Sequence, residues 1–189
     1  MIEQQQIPKY LTQDEVTALF SKIQSKRDRA LFDLVYKYGL RVREATLLRL
    51  EDVDIKRGKI FIRRVKGGVA GEKPLFRDSK RLLRAYLDVC EGDSLALFVG
   101  RQGFLQERRI QQLFKLYLKK AKIKKAVGVH SLRHSIAVHL LDDGQRIEFV
   151  KDHLGHRDIK STQIYARISD RRRSEVFEQL ESSNKIVRN

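Results

Sequence analysis

The histidines of this chain, five in all, lie between residues 130 and 156, and lysine and arginine outnumber aspartate and glutamate by 40 to 24. His130 and Arg133 are three residues apart, so their side chains point the same way if this stretch is helical. Ser131 is a candidate N-cap, which would place both near free backbone N–H groups and the positive end of the helix dipole. Anions bind well at such a place, so H-x-x-R predicts an anion-binding turn. A capping turn with a surface arginine is the plainer interpretation.

A second group of reactive side chains follows at Leu-Gly-His, where Gly155 is expected to end one helix. The next helix is expected to begin near residue 160, so His156 lies at a helix junction and Tyr165 one to two turns into the new helix. Core packing beside Ile164 and Ile168 is the more usual role for a tyrosine at such a position. The pattern therefore predicts a polar junction followed by a tyrosine that is either structural or reactive.

Two cationic side chains lie earlier in the chain. Arg41 follows Gly39, a predicted helix stop, and Glu44 is close enough in sequence to hold its guanidinium by a charge-assisted hydrogen bond. An ordinary surface ion pair is the alternative. Lys66 lies in a glycine-rich loop between two β-rich runs and is either a reactive side chain or a solvated loop lysine. Lys73, at the start of the second run, is the alternative candidate for the reactive lysine.

The elements that must position these residues are mainly helical. Thr12 and Glu15 form a capping box, and Leu11 and Val16 stand where a hydrophobic staple belongs. Apolar residues then recur at helical spacing, whereas the runs at 59–63 and 73–76 predict a β-hairpin. A short third strand is expected near 97–99. We predict one α+β domain, mainly α with a small antiparallel sheet. Two helices come first, and the second of them ends at Gly39. Further helices are expected at 42–50, 78–90, 105–122, 131–142, 146–154, 160–168 and 171–182.

Charge and composition narrow the function classes. A formal net charge of +16 and a pI near 10.1 predict a polyanionic partner, DNA or RNA first. A solvated basic surface without a partner is the alternative. The single cysteine, Cys90, cannot form an internal disulfide, and no apolar run is long enough to cross a bilayer. These features predict a cytoplasmic protein with no membrane association.

Taken in order along the chain, the candidate residues resemble the signature of the tyrosine recombinase and phage integrase family. That signature is an arginine, a lysine on a β-turn, H-x-x-R, L-G-H and a tyrosine. The stretches GLRVREATLLRLEDVD, HSLRHSIAVHLL and LGHRDIKSTQIYARI are also similar to the conserved segments of that family. The resemblance covers about residues 11–169 and implies the tyrosine recombinase catalytic-domain fold.

The resemblance implies a covalent reaction on DNA. Tyr165 matches the nucleophile that attacks a phosphodiester and becomes linked to the 3′ phosphate. Lys66 matches the lysine that protonates the departing 5′ oxygen. Because the phosphotyrosyl bond conserves the energy of the cleaved bond, a 5′-hydroxyl can reseal the strand without ATP. No cofactor or metal is implied.

The remaining matched residues bind the phosphate. Arg41 and Arg133 resemble the two arginines that clamp its non-bridging oxygens, which gain negative charge in the transition state. His130 and His156 resemble the pair that hydrogen-bonds the phosphate and assists proton transfer, and Glu44 matches an acidic residue that steadies the assembly. The other histidines are assigned structural or surface positions: His134, His139 and His153.

The resemblance also implies an organisation and partners. Residues 1–11 read as a linker, 12–170 as the catalytic domain, and 171–189 as a C-terminal helix and tail that neighbouring subunits could exchange. Many relatives carry an N-terminal domain that grips the DNA, so the chain is either a naturally short member or a fragment. Double-stranded DNA is the expected partner, with a monomer in solution, a homo-tetramer on DNA, and association with the nucleoid when bound.

Three alternatives belong to other functional classes. His130 with His134, and His153 with His156, have spacings usable for zinc, although no H-E-x-x-H occurs and Arg133 would repel a cation. A non-catalytic sequence-specific DNA-binding protein is also basic and helical. Type IB topoisomerases and telomere resolvases share similar chemistry but are usually much longer chains.

Overall fold

The computed structural model describes residues 8–65, 67–90, 94–100 and 103–182. Within these ranges the helices are α1 (Gln13–Ser21), α2 (Lys26–Lys37), α3 (Val42–Thr46), α4 (Arg77–Leu87), α5 (Glu107–Lys120), α6 (His130–Asp142), α7 (Ile147–Leu154) and α8 (Lys160–Ser182). The strands are β1 (Val53–Asp54), β2 (Lys59–Ile62), β3 (Gly71–Pro74), β4 (Val99–Gly100) and β5 (Gly103–Phe104). The predicted class, mainly α with a small antiparallel sheet, is confirmed. No helix in the described ranges is long and apolar enough to span a membrane.

The start of α1 is capped as the sequence predicts. The Glu15 backbone N–H donates to the Thr12 hydroxyl at 3.2 Å, and the Thr12 N–H donates to the Glu15 carboxylate at 2.8 Å. Leu11 and Val16 are both buried. The Leu11 N–H also donates to the Ser135 hydroxyl at 2.8 Å, which ties the first described helix to α6.

The main sheet has β2 at its centre, with β1 and β3 on either side, all antiparallel. Ile60 and Ile62 are buried while Phe61 faces out, which is the period-2 pattern of a half-buried strand. The expected third strand near 97–99 is wrong for this sheet, because β1 occupies that edge. Leu97 and Phe98 enter the core instead, and β4 pairs with β5 in a separate sheet.

Other element boundaries also differ from the prediction. Helix α3 ends at Thr46 and a short 3₁₀ turn follows, so the expected helix over 42–50 is too long. Helix α6 begins at His130, which places Ser131 inside its first turn and rules it out as the N-cap. Strand β3 lies two residues earlier than predicted. The two helices expected at 160–168 and 171–182 are one, since neither glycine nor proline interrupts α8.

Two groups of buried apolar residues form the core, and α6 contributes to both. Leu132 belongs to the larger group, which α1, α2, α4 and α5 also line. Ala137 and Val138 belong to the smaller group, which includes Leu154 of α7 and Tyr165 of α8. The N-terminal turn of α6 therefore lies where the two groups meet, and its position is set by packing on both sides.

Candidate active site

The structure brings five of the candidate residues to one place. They come from the start of α3, the first turn of α6, the α7–α8 junction and the second turn of α8. The charges of Arg41 and Arg133 both contribute to the pKa shifts of the three others, so these side chains share one electrostatic environment. The five are Arg41, His130, Arg133, His156 and Tyr165.

Glu44 orients Arg41. Its carboxylate accepts from the Arg41 guanidinium at 2.7 Å and from the Arg41 backbone N–H at 2.9 Å, so the predicted ion pair is present. Glu44 is only 1% exposed. Burial opposes its ionisation, but the Arg41 N–H bond and the charge and hydrogen bond of Arg64 outweigh that effect, so the pKa of Glu44 is lowered. Glu44 is therefore a buried carboxylate held between two arginines.

Arg64 is a structural member of the site that sequence reasoning did not assign. Its side chain is 1% exposed and donates to Glu44 at 2.8 Å, to the Tyr38 carbonyl at 3.1 Å and to the His153 carbonyl at 2.8 Å. A usable signal existed, because the inward alternation of Ile60 and Ile62 continues to position 64. An arginine at that position needs a buried counter-charge, which Glu44 supplies.

Gly155 of the Leu-Gly-His motif lies against Arg64. Its φ of +68° is left-handed, and a Cβ atom there would lie 2.7 Å from Nε of Arg64 and 3.0 Å from the Val69 carbonyl. The Gly155 carbonyl accepts from the Val69 N–H at 3.2 Å. Glycine is thus required both to end α7 and to let the β2–β3 loop approach.

Arg133 is held by two backbone carbonyls. Its guanidinium donates to the Gly39 carbonyl and, at 2.9 Å, to the Leu154 carbonyl. The Gly39 carbonyl lies just past the end of α2 and the Leu154 carbonyl belongs to the last residue of α7, where unpaired oxygens and helix dipoles favour a cation. Burial, then the charges of Arg41 and Arg64, lower the pKa of Arg133 to about 10. It remains charged at neutral pH, with several N–H donors left over from these two bonds.

The two histidines of the predicted phosphate site are electrically neutral at physiological pH. His156 is half-buried with Nδ1 2.9 Å from the Thr162 hydroxyl, and burial, then Arg133 and Arg41, lower its pKa to about 4. His130 lies at the exposed edge of the cluster. Loss of water on its inner side, followed by the charges of Arg133 and Arg41, also lowers its pKa. Both imidazoles can therefore exchange hydrogen bonds without adding charge.

Tyr165 is buried beside a histidine to which the sequence assigned no role. Its hydroxyl lies 2.8 Å from Nδ1 of His134, and the side chain is 4% exposed. Burial raises the pKa of Tyr165, while the charges of Arg133 and Arg41 oppose that rise. The i, i+4 spacing of His130 and His134 was a signal that both face the same side of α6. That spacing could not reveal the partner of His134, because Tyr165 comes from a different helix, α8.

The other unassigned histidines support the fold, as expected. Nδ1 of His139 lies 2.8 Å from the Tyr36 hydroxyl, and Nε2 of His153 lies 2.6 Å from the Lys37 carbonyl. Both are buried rather than at the surface. They fasten α6 and α7 to α2.

The candidate lysines differ in what the structure describes. Lys66 lies outside the described residues. The Lys73 ammonium donates to the Asp152 carboxylate at 2.5 Å, which ties β3 to α7. For the zinc alternative, the described ranges contain no group of three or more His, Cys, Asp or Glu side chains arranged to hold a metal ion.

Fold and site together define a mainly helical domain that gathers arginines and neutral histidines around a buried tyrosine hydroxyl. The chain matches the model of the phage integrase family over residues 9–172, and it belongs to that family. It is 38% identical over 169 residues to the tyrosine recombinase XerA of Thermococcus kodakarensis, a match that covers 86% of this chain and 59% of the relative.

Solved structures show the same fold. A crystal structure of XerA recombinase superposes with a TM-score of 0.81 at 31% identity, covering 92% of this chain and 65% of the other. The XerH site-specific recombinase bound to its difH substrate, in a post-cleavage complex, superposes with a TM-score of 0.77 at 21% identity, covering 93% of this chain and 54% of the other. The chain thus spans less than two thirds of the length of these relatives.

Proposed function

We propose that the protein is a site-specific DNA recombinase of the integrase type. It cleaves and rejoins DNA strands through a 3′-phosphotyrosyl intermediate, without ATP or a metal ion. The observation that carries this proposal is the buried Tyr165 side chain, which lies in the field of the partly buried Arg41 and the buried Arg133. In cleavage, Tyr165 Oη bonds to phosphorus as the bond to the 5′ oxygen breaks; in rejoining, a 5′-hydroxyl reverses the step.

The arginines supply the electrostatic part of catalysis. The pentacoordinate transition state places negative charge on the equatorial phosphate oxygens, which a planar guanidinium binds with paired hydrogen bonds. Arg41 is oriented by Glu44 and Arg133 by two carbonyls, so neither has to reorganise when charge develops. Fixed charge of this kind is usually the largest catalytic contribution.

The histidines and a lysine complete the proposed site. His130 and His156, neutral at working pH, hydrogen-bond the phosphate oxygens. Lys66 protonates the departing 5′ oxygen. Support for Lys66 over Lys73 comes from the Lys73 ammonium, which is engaged by Asp152 on α7. Glu44 acts through Arg41 as a positioning residue.

The proposed substrate is double-stranded DNA. A net charge of +16 suits a polyanion, and the exposed face of α5 carries basic side chains, of which Lys115 lines a surface pocket together with His130. Phosphate contacts of this kind make binding strongly dependent on salt. The expected location is the cytoplasm, in association with the nucleoid when DNA is bound.

The proposed assembly is a homo-tetramer on DNA formed from monomers, with residues 12–170 as the catalytic domain, 1–11 as the linker and 171–189 as the exchanged segment. Phe177 and Leu180 support this proposal, because these apolar side chains are 63% and 36% exposed and lie one turn apart near the end of α8, as a partner-binding stripe would. Replacing Phe177 with serine is expected to leave the free monomer unchanged and to weaken tetramer formation on DNA at least about tenfold. Sedimentation with and without DNA measures both. Unaltered assembly of the variant contradicts subunit exchange through this residue.

The covalent intermediate provides the direct test of function. Purified protein is incubated at low salt with EDTA and a pool of randomised nicked duplexes, from which the cleaved fragment escapes and cannot religate. We expect a protein–DNA adduct on a denaturing gel for the wild-type protein and none for Tyr165→Phe. Sequencing the trapped DNA identifies the preferred site.

A matched control uses a second tyrosine–histidine hydrogen bond, between Tyr36 of α2 and His139 of α6. Tyr36→Phe removes a hydroxyl that lies at the same 2.8 Å from a histidine Nδ1 as the hydroxyl of Tyr165 does. This variant is expected to form the adduct normally. An adduct that survives in Tyr165→Phe contradicts the assignment of the nucleophile. DNA binding without an adduct in the wild-type protein favours the non-catalytic alternative.

A further inference from the structure

The hydrogen bond between Tyr165 and His134 joins a candidate nucleophile directly to a candidate base. The Tyr165 hydroxyl lies 2.8 Å from Nδ1 of His134, with the ring centroids 5.7 Å apart. This is the contact that a general base needs with the proton it removes. We propose, on the basis of the recombinase function above, that His134 is the catalytic residue that accepts the Tyr165 proton during strand cleavage.

The surroundings of His134 keep it in the form that can accept a proton. Burial, then the neighbouring His130 and Arg133 of its own helix, lower the pKa of His134 to about 4. The group that faces it from α8 is the Tyr165 hydroxyl, whose pKa is raised by burial, so it carries its proton at neutral pH. With its own proton on Nε2, His134 presents the Nδ1 lone pair to that hydroxyl.

The proposed step balances protons and bonds in both directions. As Tyr165 Oη bonds to phosphorus, its proton passes to Nδ1 of His134 and the bond from phosphorus to the 5′ oxygen breaks, with Lys66 supplying the proton to that oxygen. In rejoining, the 5′-hydroxyl attacks the phosphotyrosyl bond and the His134 imidazolium returns its proton to Tyr165. A histidine whose pKa is lowered, here by burial first and then by His130 and Arg133, gives that proton back readily, which keeps the reaction reversible.

A purely structural role for His134 predicts different behaviour. The pair formed by Tyr36 and His139 shows that α6 also uses this hydrogen bond only to hold helices together. If His134 merely packs against α8, its loss changes the amount of folded protein or the position of Tyr165. The dependence of the chemical step on hydroxide concentration then stays the same. The pH profile of cleavage therefore separates the two roles.

The experiment measures single-turnover adduct formation on the selected nicked duplex from pH 6 to 9. The wild-type rate is expected to be insensitive to ionisation of the tyrosine over this range. His134→Ala is expected to be slower by about 100-fold or more at neutral pH. Its rate is expected to rise roughly tenfold per pH unit, because hydroxide must then ionise a tyrosine whose pKa lies above its usual value.

Two further variants control for folding. His134→Asn keeps a hydrogen-bond acceptor near the Nδ1 position but supplies no base, so it is expected to melt like the wild-type protein and to show the same steep pH dependence as His134→Ala. His139→Asn removes the corresponding histidine of the structural pair and is expected to retain the wild-type pH profile. A slow His134→Asn variant with the wild-type profile overturns the proposal.

A modified substrate separates the base from the acid. In a 5′-bridging phosphorothiolate the leaving thiolate needs no proton, so this substrate is expected to leave the His134→Ala defect uncorrected. Rescue would place His134 on the leaving-group side and overturn the proposal. If the wild-type protein forms the adduct but the cleavage rate of His134→Ala has the same pH dependence as the wild-type rate, only the proposed role of His134 is overturned. Absence of any wild-type adduct overturns the recombinase function together with it.

Discussion

Replacement of Arg133 by alanine is expected to slow single-turnover DNA cleavage by about 10²–10³-fold, the loss typical of removing one preorganised donor from a transition-state site. The structure gives the reason. Arg133 is anchored by the Gly39 and Leu154 carbonyls, so its positive charge is already in place when the phosphate oxygens become more negative. DNA affinity is expected to change far less than the rate, because Arg133 is one of many positive charges.

Two comparisons make the Arg133 result specific. Arg133→Lys retains the charge but not the planar fork that reaches both carbonyls, so it is expected to recover only a small part of the rate. Arg146→Ala removes a charge from a side chain that is 88% exposed and is expected to cleave at the wild-type rate. The rate is measured by adduct formation at saturating protein, and circular dichroism checks that each variant is folded. An Arg133→Ala variant that cleaves within tenfold of wild type contradicts a role in the chemical step.

Replacement of Arg64 by methionine is expected to lower the free energy of unfolding by about 3–5 kcal/mol, the range for breaking a buried ion pair. Methionine fills much of the space but leaves the Glu44 carboxylate with one guanidinium instead of two. It also leaves the Tyr38 and His153 carbonyls without the donors that Arg64 supplies. Urea denaturation followed by circular dichroism measures the change.

Arg57 provides the control for Arg64. Its side chain is 81% exposed and pairs with Asp54 at the turn before β2, so Arg57→Met is expected to change stability by less than about 1 kcal/mol. Adding Glu44→Gln to Arg64→Met is expected to cost less than the sum of the single changes, because both remove the same interaction. Fully additive losses show that Arg64 does not stabilise the site through Glu44.

These two arginines share a structural principle. Arg64 comes from the loop after β2 and Arg133 from α6, yet both donate to carbonyls at the ends of α2 and α7. The C-terminal end of a helix offers unpaired carbonyl oxygens and a partial negative charge. Each guanidinium donates hydrogen bonds to those oxygens, and their negative charge in turn lowers the energy of burying the guanidinium. One arginine thereby builds the site, and the other is the one for which we propose a role on the phosphate.

Local patterns in the sequence predicted much of this protein. The capping box at Thr12 and Glu15, the Arg41–Glu44 ion pair and the left-handed Gly155 at the end of α7 are all present. Each depends on residues within one or two turns of each other, so its energy is almost independent of the rest of the fold. The errors at the end of α3, at the start of α6 and within α8 also arose locally, where signals for starting, continuing or ending a helix were weak.

Only the tertiary structure decided which side chains complete the site. Tyr165 is 31 residues from His134, and Arg64 is 20 residues from Glu44 and 89 from His153. Nothing in the spacing of one segment specifies such a pair, because the contact exists only after α8 packs on α6 and β2 packs beside α3. The sequence by itself determined the kinds of residues, the helices that carry them and their order along the chain. Packing of those helices decided that a histidine without an assigned role faces the tyrosine, and that a loop arginine becomes a buried support of the site.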